Sequence, residues 1–134
     1  MTHLFVLEGI NDIGGKGDLP APTAEDLIAA HKQLIARARA HGLTVYAGTL
    51  LPFQGGTLLT FTSESEARRQ ALNTWLRTSK AYDAVVDFDA ALRDPAQPTR
   101  VLPKYISEDF IHPNDAGYKV MGDLIDASLF APRR

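Results

Sequence analysis

The sequence predicts an α/β fold, a parallel sheet covered by helices on both faces in a three-layer α/β/α arrangement. Three observations carry this. Short apolar runs rich in β-branched and aromatic residues alternate with amphipathic stretches at helical spacing, in the order β-α-β-α-β-α. The apolar runs are continuous, as in strands buried on both faces, instead of alternating with polar residues. With 134 residues, 45% hydrophobic and 22% charged, the chain has the size and balance of one domain with one core and shows no linker, repeat or low-complexity tract. Consecutive parallel strands then require right-handed crossovers.

Taken in order, Leu4 to Leu7 is the first strand, closed by Glu8-Gly9. Asn11 to Pro22 holds Gly14, Gly15, Gly17, Pro20 and Pro22 and is expected to be loop. Thr23 with Asp26 three residues on can cap a helix whose inner face carries Leu27, Ile28, Leu34, Ile35 and Ala38, ending at His41-Gly42. Leu43 to Leu50 is the second strand, and Gly48, Pro52, Gly55 and Gly56 turn it into a long loop. Ser63 with Glu66 has the spacing of a capping box for a second helix, with Ala67, Ala71, Leu72, Trp75 and Leu76 as its apolar face. Ala84 to Phe88 is the third strand, and a loop marked by Asp94-Pro95 and Pro98 runs to Pro113. Asn114 caps a last helix, whose stripe is Val120, Met121, Leu124, Ile125, Ser128 and Leu129.

Composition excludes several function classes. No cysteine is present, so disulfides, thiolate metal sites and cysteine nucleophiles are absent, and the compartment stays open. A net charge of −2, with 14 basic and 16 acidic residues interspersed, supplies no basic stripe for nucleic acid. No apolar stretch approaches the ~20 residues needed to span a bilayer, and no leader pattern is seen, so the chain reads as soluble. Met1-Thr2-His3 enters a buried-strand run at once, the expected appearance of an interior piece of a domain.

In a sheet of this kind ligands bind beyond the carboxyl ends of the strands, which directs attention to Gly9 to Asp12, Thr49 to Phe53 and Asp109 to Pro113. Asp109 stands three residues before His112, at a helix start. A carboxylate accepting from one ring nitrogen would leave the other as a base, as in half of a hydrolase triad. A solvated aspartate beside a loop histidine has the same spacing and, for a lone pair, is the commoner arrangement. Asn11, after Gly9, is placed to donate its amide to a developing oxyanion, or is an ordinary turn asparagine.

Together and in this order, Gly9-Ile10-Asn11-Asp12 and Asp109-Phe110-Ile111-His112-Pro113 resemble the GxND and DxxHP blocks of the SGNH hydrolases, the GDSL-like lipase-esterase family. The similarity runs from Leu4 to Phe130 and includes the strings VLEGINDIGG, DFDAALRDP and DFIHPNDAGYKVMGDLID. It implies that His112 is the general base, that Asp109 orients it and that Asn11 donates to the oxyanion, with Gly9, Ile10, Asp12 and Phe53 at the substrate pocket. It also implies a flavodoxin-like sheet of five strands ordered 2-1-3-4-5, of which residues 1–134 form a single partial domain carrying about three. The family's serine and glycine blocks have no counterpart. Gly17-Asp18-Leu19 has leucine in place of the serine, and Ser63, Ser65, Ser79 and Ser107 lie in helix-end or loop contexts. The partner implied is a small-molecule ester with no cofactor, and the sequence is expected to be either a carboxylic ester hydrolase, whole or truncated, or an inactive remnant that binds or oligomerises. An uncovered first strand, or the helix surfaces uncovered with it, would favour a homodimer.

The remaining signals are weaker. Gly14-Gly15-Lys16-Gly17 lacks the spacing and hydroxyl of a phosphate loop. His3, His31, His41 and His112 show no metal-ligand spacing, so no metal site is expected, and His31 and His41 are expected to be exposed. Trp75 is expected in the core, and Asp87 and Asp89 as a polar strand end.

Overall fold

In the computed structural model, residues 1–15 and 20–131 are described. Three strands, β1 (His3–Val6), β2 (Thr44–Gly48) and β3 (Ala84–Val86), pair in parallel in the order β1-β2-β3. Phe5 faces Tyr46, and Tyr46 faces Ala84 across the next pair. All five residues of the central strand β2 are buried, as a strand covered on both faces must be.

Because side chains alternate along a strand, one face of the sheet carries Leu4, Val6, Val45 and Ala47 and the other Phe5 and Tyr46. The first set packs with Leu27 and Ile35 of helix α2 (Ala24–Ala40) and Leu72 and Leu76 of α3 (Ser63–Thr78). The second face is covered by Phe88 and Leu92 of α4 (Phe88–Leu92) and by Met121 of α5 (Asp115–Leu124). The result is the expected three-layer α/β/α fold. Among the described residues no helix is long and apolar enough to cross a membrane.

Several elements differ in detail from expectation. Part of the stretch expected as loop forms a short helix, α1 (Ile10–Gly14), entered through Gly9 at φ 119°; Lys16 and Gly17 of the glycine run, and all of Gly17-Asp18-Leu19, lie outside the described residues. Thr23 and Asp26 do form a capping box on α2, with bonds of 3.0 and 3.1 Å. On α3 the box lies one residue earlier than expected, between Thr62 and Ser65, because Glu66 turns to Arg69. Ala67 and Ala71 are exposed, and the buried stripe of α3 takes Ser65, Arg69 and Asn73 together with Leu72 and Leu76. Strand β3 stops at Val86, since Asp87 accepts from the amide of Ala90 (3.1 Å) and starts α4. The last helix ends at Leu124. Asp126 accepts from the Ser128 amide (2.8 Å) and opens a separate 3-10 turn, Ala127–Phe130, because a short polar side chain competes with the helical bond there.

His31 is also not exposed. It lies on the inward stripe Leu27-His31-Ile35-Ala38, 4% exposed, with Nδ1 2.5 Å from the hydroxyl of Tyr82 and the ring edge-on to half-buried Trp75. Burial lowers its pKa, against the opposing pull of the Glu8 backbone and of the Glu8 and Asp12 charges.

Candidate active site

The carboxyl ends of β1 and β2 and the loop before α5 converge on one cleft of about 180 Å³. Gly9 turns the chain out of β1. Its φ of 119° suits glycine alone, and a Cβ there would sit 3.3 Å from Leu72, so backbone conformation and close packing agree on the residue. The turn delivers Ile10 and Asn11 to the cleft. Asp12, next along, is exposed and does not line it.

In the segment leaving β2 the Thr49 amide still reaches the Val86 carbonyl (3.1 Å), and side chains satisfy the backbone that follows. Asn73 Oδ1 accepts from the Leu50 amide (2.8 Å), while the Leu50 carbonyl accepts from Asn73 Nδ2 (2.9 Å) and Arg69 (2.8 Å). Thr49 donates to Asp87 and accepts from the Asp89 amide, both at 2.9 Å. Arg69, Asn73 and Asp89 are fully buried, and Asp89 binds Arg69 (2.9 Å), Arg77 (2.6 Å) and Arg93 (3.2 Å). Asp87 and Asp89 are therefore not merely a polar strand end. They anchor the wall formed by Leu50, Leu51 and buried Phe53.

The third contribution comes from the loop before α5. Asp109 Oδ1 accepts from the amides of Ile111 and His112, each at 2.9 Å, and Oδ2 lies 2.6 Å from His112 Nδ1. Hydrogen bonds from the His112 ring, the His112 amide and the Ile111 amide hold the Asp109 carboxyl down at about 2. The carboxylate is thus ionised near neutrality and can only accept, so Nδ1 is the donor in this bond. His112 itself lines the cleft, and Asp109 stands behind it. The turn uses a left-handed Phe110, φ 57°. Its neck is closed by the Ser107 amide on the His112 carbonyl (2.9 Å) and by Asn114, which bridges the Lys104 and Ile106 carbonyls and caps α5. Gly117 lets α5 approach, for a Cβ there would sit 2.2 Å from the Tyr105 carbonyl oxygen.

Of the expected site residues, Ile10, Asn11, Phe53 and His112 share the cleft, Asp109 supports His112 from behind, Gly9 turns the chain toward it without lining it, and Asp12 stays outside. Leu7, Tyr118 and Met121 also line it and were not expected to. The spacing of Tyr118 and Met121 puts them on one face of α5, but nothing in that spacing shows which face meets the cleft. No serine, threonine or cysteine is among the described lining residues. Nor do three or more potential metal ligands come together among the described residues.

Residues 2–120 match the family model described as the GDSL-like lipase/acylhydrolase family. The chain belongs to this family. Solved structures agree on its fold. A GDSL-like lipase from Bacteroides thetaiotaomicron VPI-5482 superposes with a TM-score of 0.74 at 18% identity, covering 90% of this chain and 58% of its own. A proposed acylhydrolase from Bacteroides fragilis NCTC 9343 gives 0.70 at 20% identity, covering 92% and 58%. A proposed lipolytic protein of the G-D-S-L family from Desulfitobacterium hafniense DCB-2 gives 0.57 at 19% identity, covering 75% and 53%. This GDSL-like chain thus spans little more than half the length of those structures. No curated protein matches it.

Proposed function

We propose that this GDSL-like chain carries the base and oxyanion part of a carboxylic ester hydrolase site, with the acylating serine supplied from outside the sequence in hand. The observation that carries the reading is the Asp109-His112 pair facing, across one apolar cleft, the asparagine at the exit of β1. A serine hydroxyl entering the cleft would attack the ester carbonyl and pass its proton to His112 Nε2, Asn11 would donate its amide to the tetrahedral oxyanion, and His112 would return the proton to the leaving alcohol. Asp109 stays ionised throughout and stabilises the imidazolium. Ile10 and Phe53 hold the apolar part of the ester, and Gly9 gives the turn that brings Asn11 to it.

The second reading is a module that binds an ester-like ligand without turning it over. It is favoured by the lack of a serine, threonine or cysteine among the described residues of the cleft. Losing the serine of a triad costs orders of magnitude in rate, leaving only what water and the oxyanion donor provide. Hydrolysis of p-nitrophenyl butyrate separates the two when it is run on the chain joined to an upstream segment that supplies the serine, beside the same assembly carrying His112→Ala. Turnover that disappears in the variant supports the hydrolase site, and equal background rates in both support the binding module.

The edge position of β1 adds a proposal about assembly. The outer side of His3–Val6 pairs with no other strand among the described residues, and such an edge accepts a further strand. Two copies joined through this strand, or through the adjoining helix surfaces, make a homodimer. A monodisperse monomer in light scattering rules it out.

A further inference from the structure

The proposed reaction gives no task to His31, which lies 4% exposed on the inner stripe of α2. A buried imidazole costs more than an apolar side chain would unless its ring nitrogens are satisfied. Nδ1 lies 2.5 Å from the Tyr82 hydroxyl, and the ring also hydrogen-bonds the backbone of Glu8 in a way that favours its protonated form. The Glu8 group is therefore the carbonyl, which can only accept, so the nitrogen facing it carries the ring proton. Nδ1 is left bare and accepts from the Tyr82 O–H. The two bonds assign one neutral tautomer. Three rings lock it in place, for His31 is edge-on to Trp75 (6.0 Å between centroids) and to Tyr82 (5.9 Å), and Trp75 is edge-on to Tyr82 (6.2 Å). Helix α2, helix α3 and the segment before β3 thus meet at this side chain.

Glu8 lies just beyond the end of β1. Its carbonyl shares a planar peptide with the Gly9 amide, so a hold on that carbonyl fixes the plane from which Gly9 turns at φ 119° and Asn11 follows two residues later. The packing agrees. A Cβ on Gly9 would meet Leu72 at 3.3 Å and Leu27 at 4.0 Å, and these side chains stand one turn before Trp75 on α3 and one turn before His31 on α2. The ring layer therefore abuts the Gly9 layer. The charges that act on the ring are the carboxylates of Glu8 and Asp12, both exposed at the exit of β1. Tyr82 is the titratable group that touches it from the segment before β3, and α3 meets it with Trp75. Its neighbours one turn away on α2, Leu27, Ile28, Leu34 and Ile35, are apolar. A second ring proton would set Nδ1–H against the Tyr82 O–H in a buried place, while the two carboxylates draw the cation outward.

We propose that neutral His31 is a positioning residue of the cleft: it holds the Glu8 carbonyl to α2 and so sets the turn that carries Asn11, and a proton on the ring releases that turn. That Asn11 serves there as an oxyanion donor rests on the hydrolase reading, whereas the hold on the turn does not. NMR titration of the intact isotope-labelled chain tests it. In wild type the Gly9 amide and the Asn11 side-chain amide are expected to move together with the His31 ring, at a midpoint below the ordinary histidine value of 6.5, and to keep that transition in His112→Ala. His31→Gln retains a donor for Glu8 and an acceptor for Tyr82. It is expected to leave both amides near their wild-type positions at pH 7 and to abolish the acid transition. His31→Leu keeps neither bond and is expected to displace both amides already at pH 7; where that variant does not fold, the wild-type and His31→Gln titrations decide. A transition that survives His31→Gln or vanishes in His112→Ala overturns the proposal, as does His31 titrating in wild type with both amides unmoved, or His31→Leu leaving them in place. Loss of the core resonances of Val45 and Leu72 before or with the ring's titration overturns it too, since His31 would then serve stability alone. Because none of these readouts needs turnover, absent ester hydrolysis counts against the hydrolase reading alone.

Discussion

Replacing Arg69 with methionine tests whether the buried polar network holds the cleft wall. Arg69 is fully buried and makes four hydrogen bonds, two to Glu66 (2.8 and 2.6 Å), one to Asp89 (2.9 Å) and one to the Leu50 carbonyl (2.8 Å). Methionine fills much of the space, so the cost comes from the groups left behind and not from a cavity. The Leu50 carbonyl keeps Asn73, and Glu66, whose side chain is 12% exposed, keeps Gln70. Asp89 keeps Arg77 and Arg93 on Oδ2, but its buried Oδ1 loses its cation. Breaking a buried ion pair from one side costs about 3 to 5 kcal/mol, and the surviving partners place this case near the lower figure, about 3 kcal/mol. For a domain of this size that amounts to a fall in Tm of about 12 °C. Urea denaturation of wild type and Arg69→Met measures it directly. Adding Asp89→Leu removes the stranded carboxylate, while Arg77 and Arg93, 28% and 34% exposed, reach water. The double variant is therefore expected to be at least about 1 kcal/mol more stable than the sum of the single losses. A loss below about 1 kcal/mol for Arg69→Met, or strict additivity in the double variant, refutes the reasoning.

Three further outcomes follow from the same geometry. Gly117→Ala places a Cβ 2.2 Å from the Tyr105 carbonyl oxygen and 2.8 Å from Pro113, so it is expected to destabilise by about 2 kcal/mol and to shift the His112 resonances, both readable by NMR and thermal melts. For Asp87, burial raises the carboxyl pKa, but the bonds from Arg77, the Ala90 amide and Thr49 outweigh it and hold the group at about 2. A depressed folded pKa gives stability that is present above the ordinary value of 3.8 and lost as pH falls toward about 2. With the side chain 37% exposed, screening reduces that contribution to about 1 kcal/mol, and Asp87→Asn should flatten stability across this window. Asp109→Asn removes the acceptor that holds the His112 proton on Nδ1. In an assembled ester hydrolase site it is expected to lower kcat by about a thousandfold or more, with KM little changed, and a kcat within tenfold of wild type contradicts the orienting role.

The sequence by itself determined the layers and the order of the strands and long helices, because these depend on neighbours within a few residues. Continuous apolar runs mark the strands, Thr23-Asp26 and Asn114 mark helix starts, and the two short blocks both contribute residues to the cleft at the carboxyl edge. Where two local signals compete, the pattern misled. Ser63 and Glu66 have capping spacing, but Thr62 and Ser65 have the bonds, since Glu66 is drawn to an arginine that the pattern placed nowhere in particular. Only the tertiary structure decided what lies inside. His31 is buried because Tyr82, 51 residues away, offers its hydroxyl, and Arg69 is buried because Asp89, 20 residues away, supplies a carboxylate. Asp12 and Asn11 are adjacent, polar and both exposed, yet only Asn11 lines the cleft. A polar side chain carries no periodic signature of burial. Its place depends on a partner from another element, and folding creates that partner.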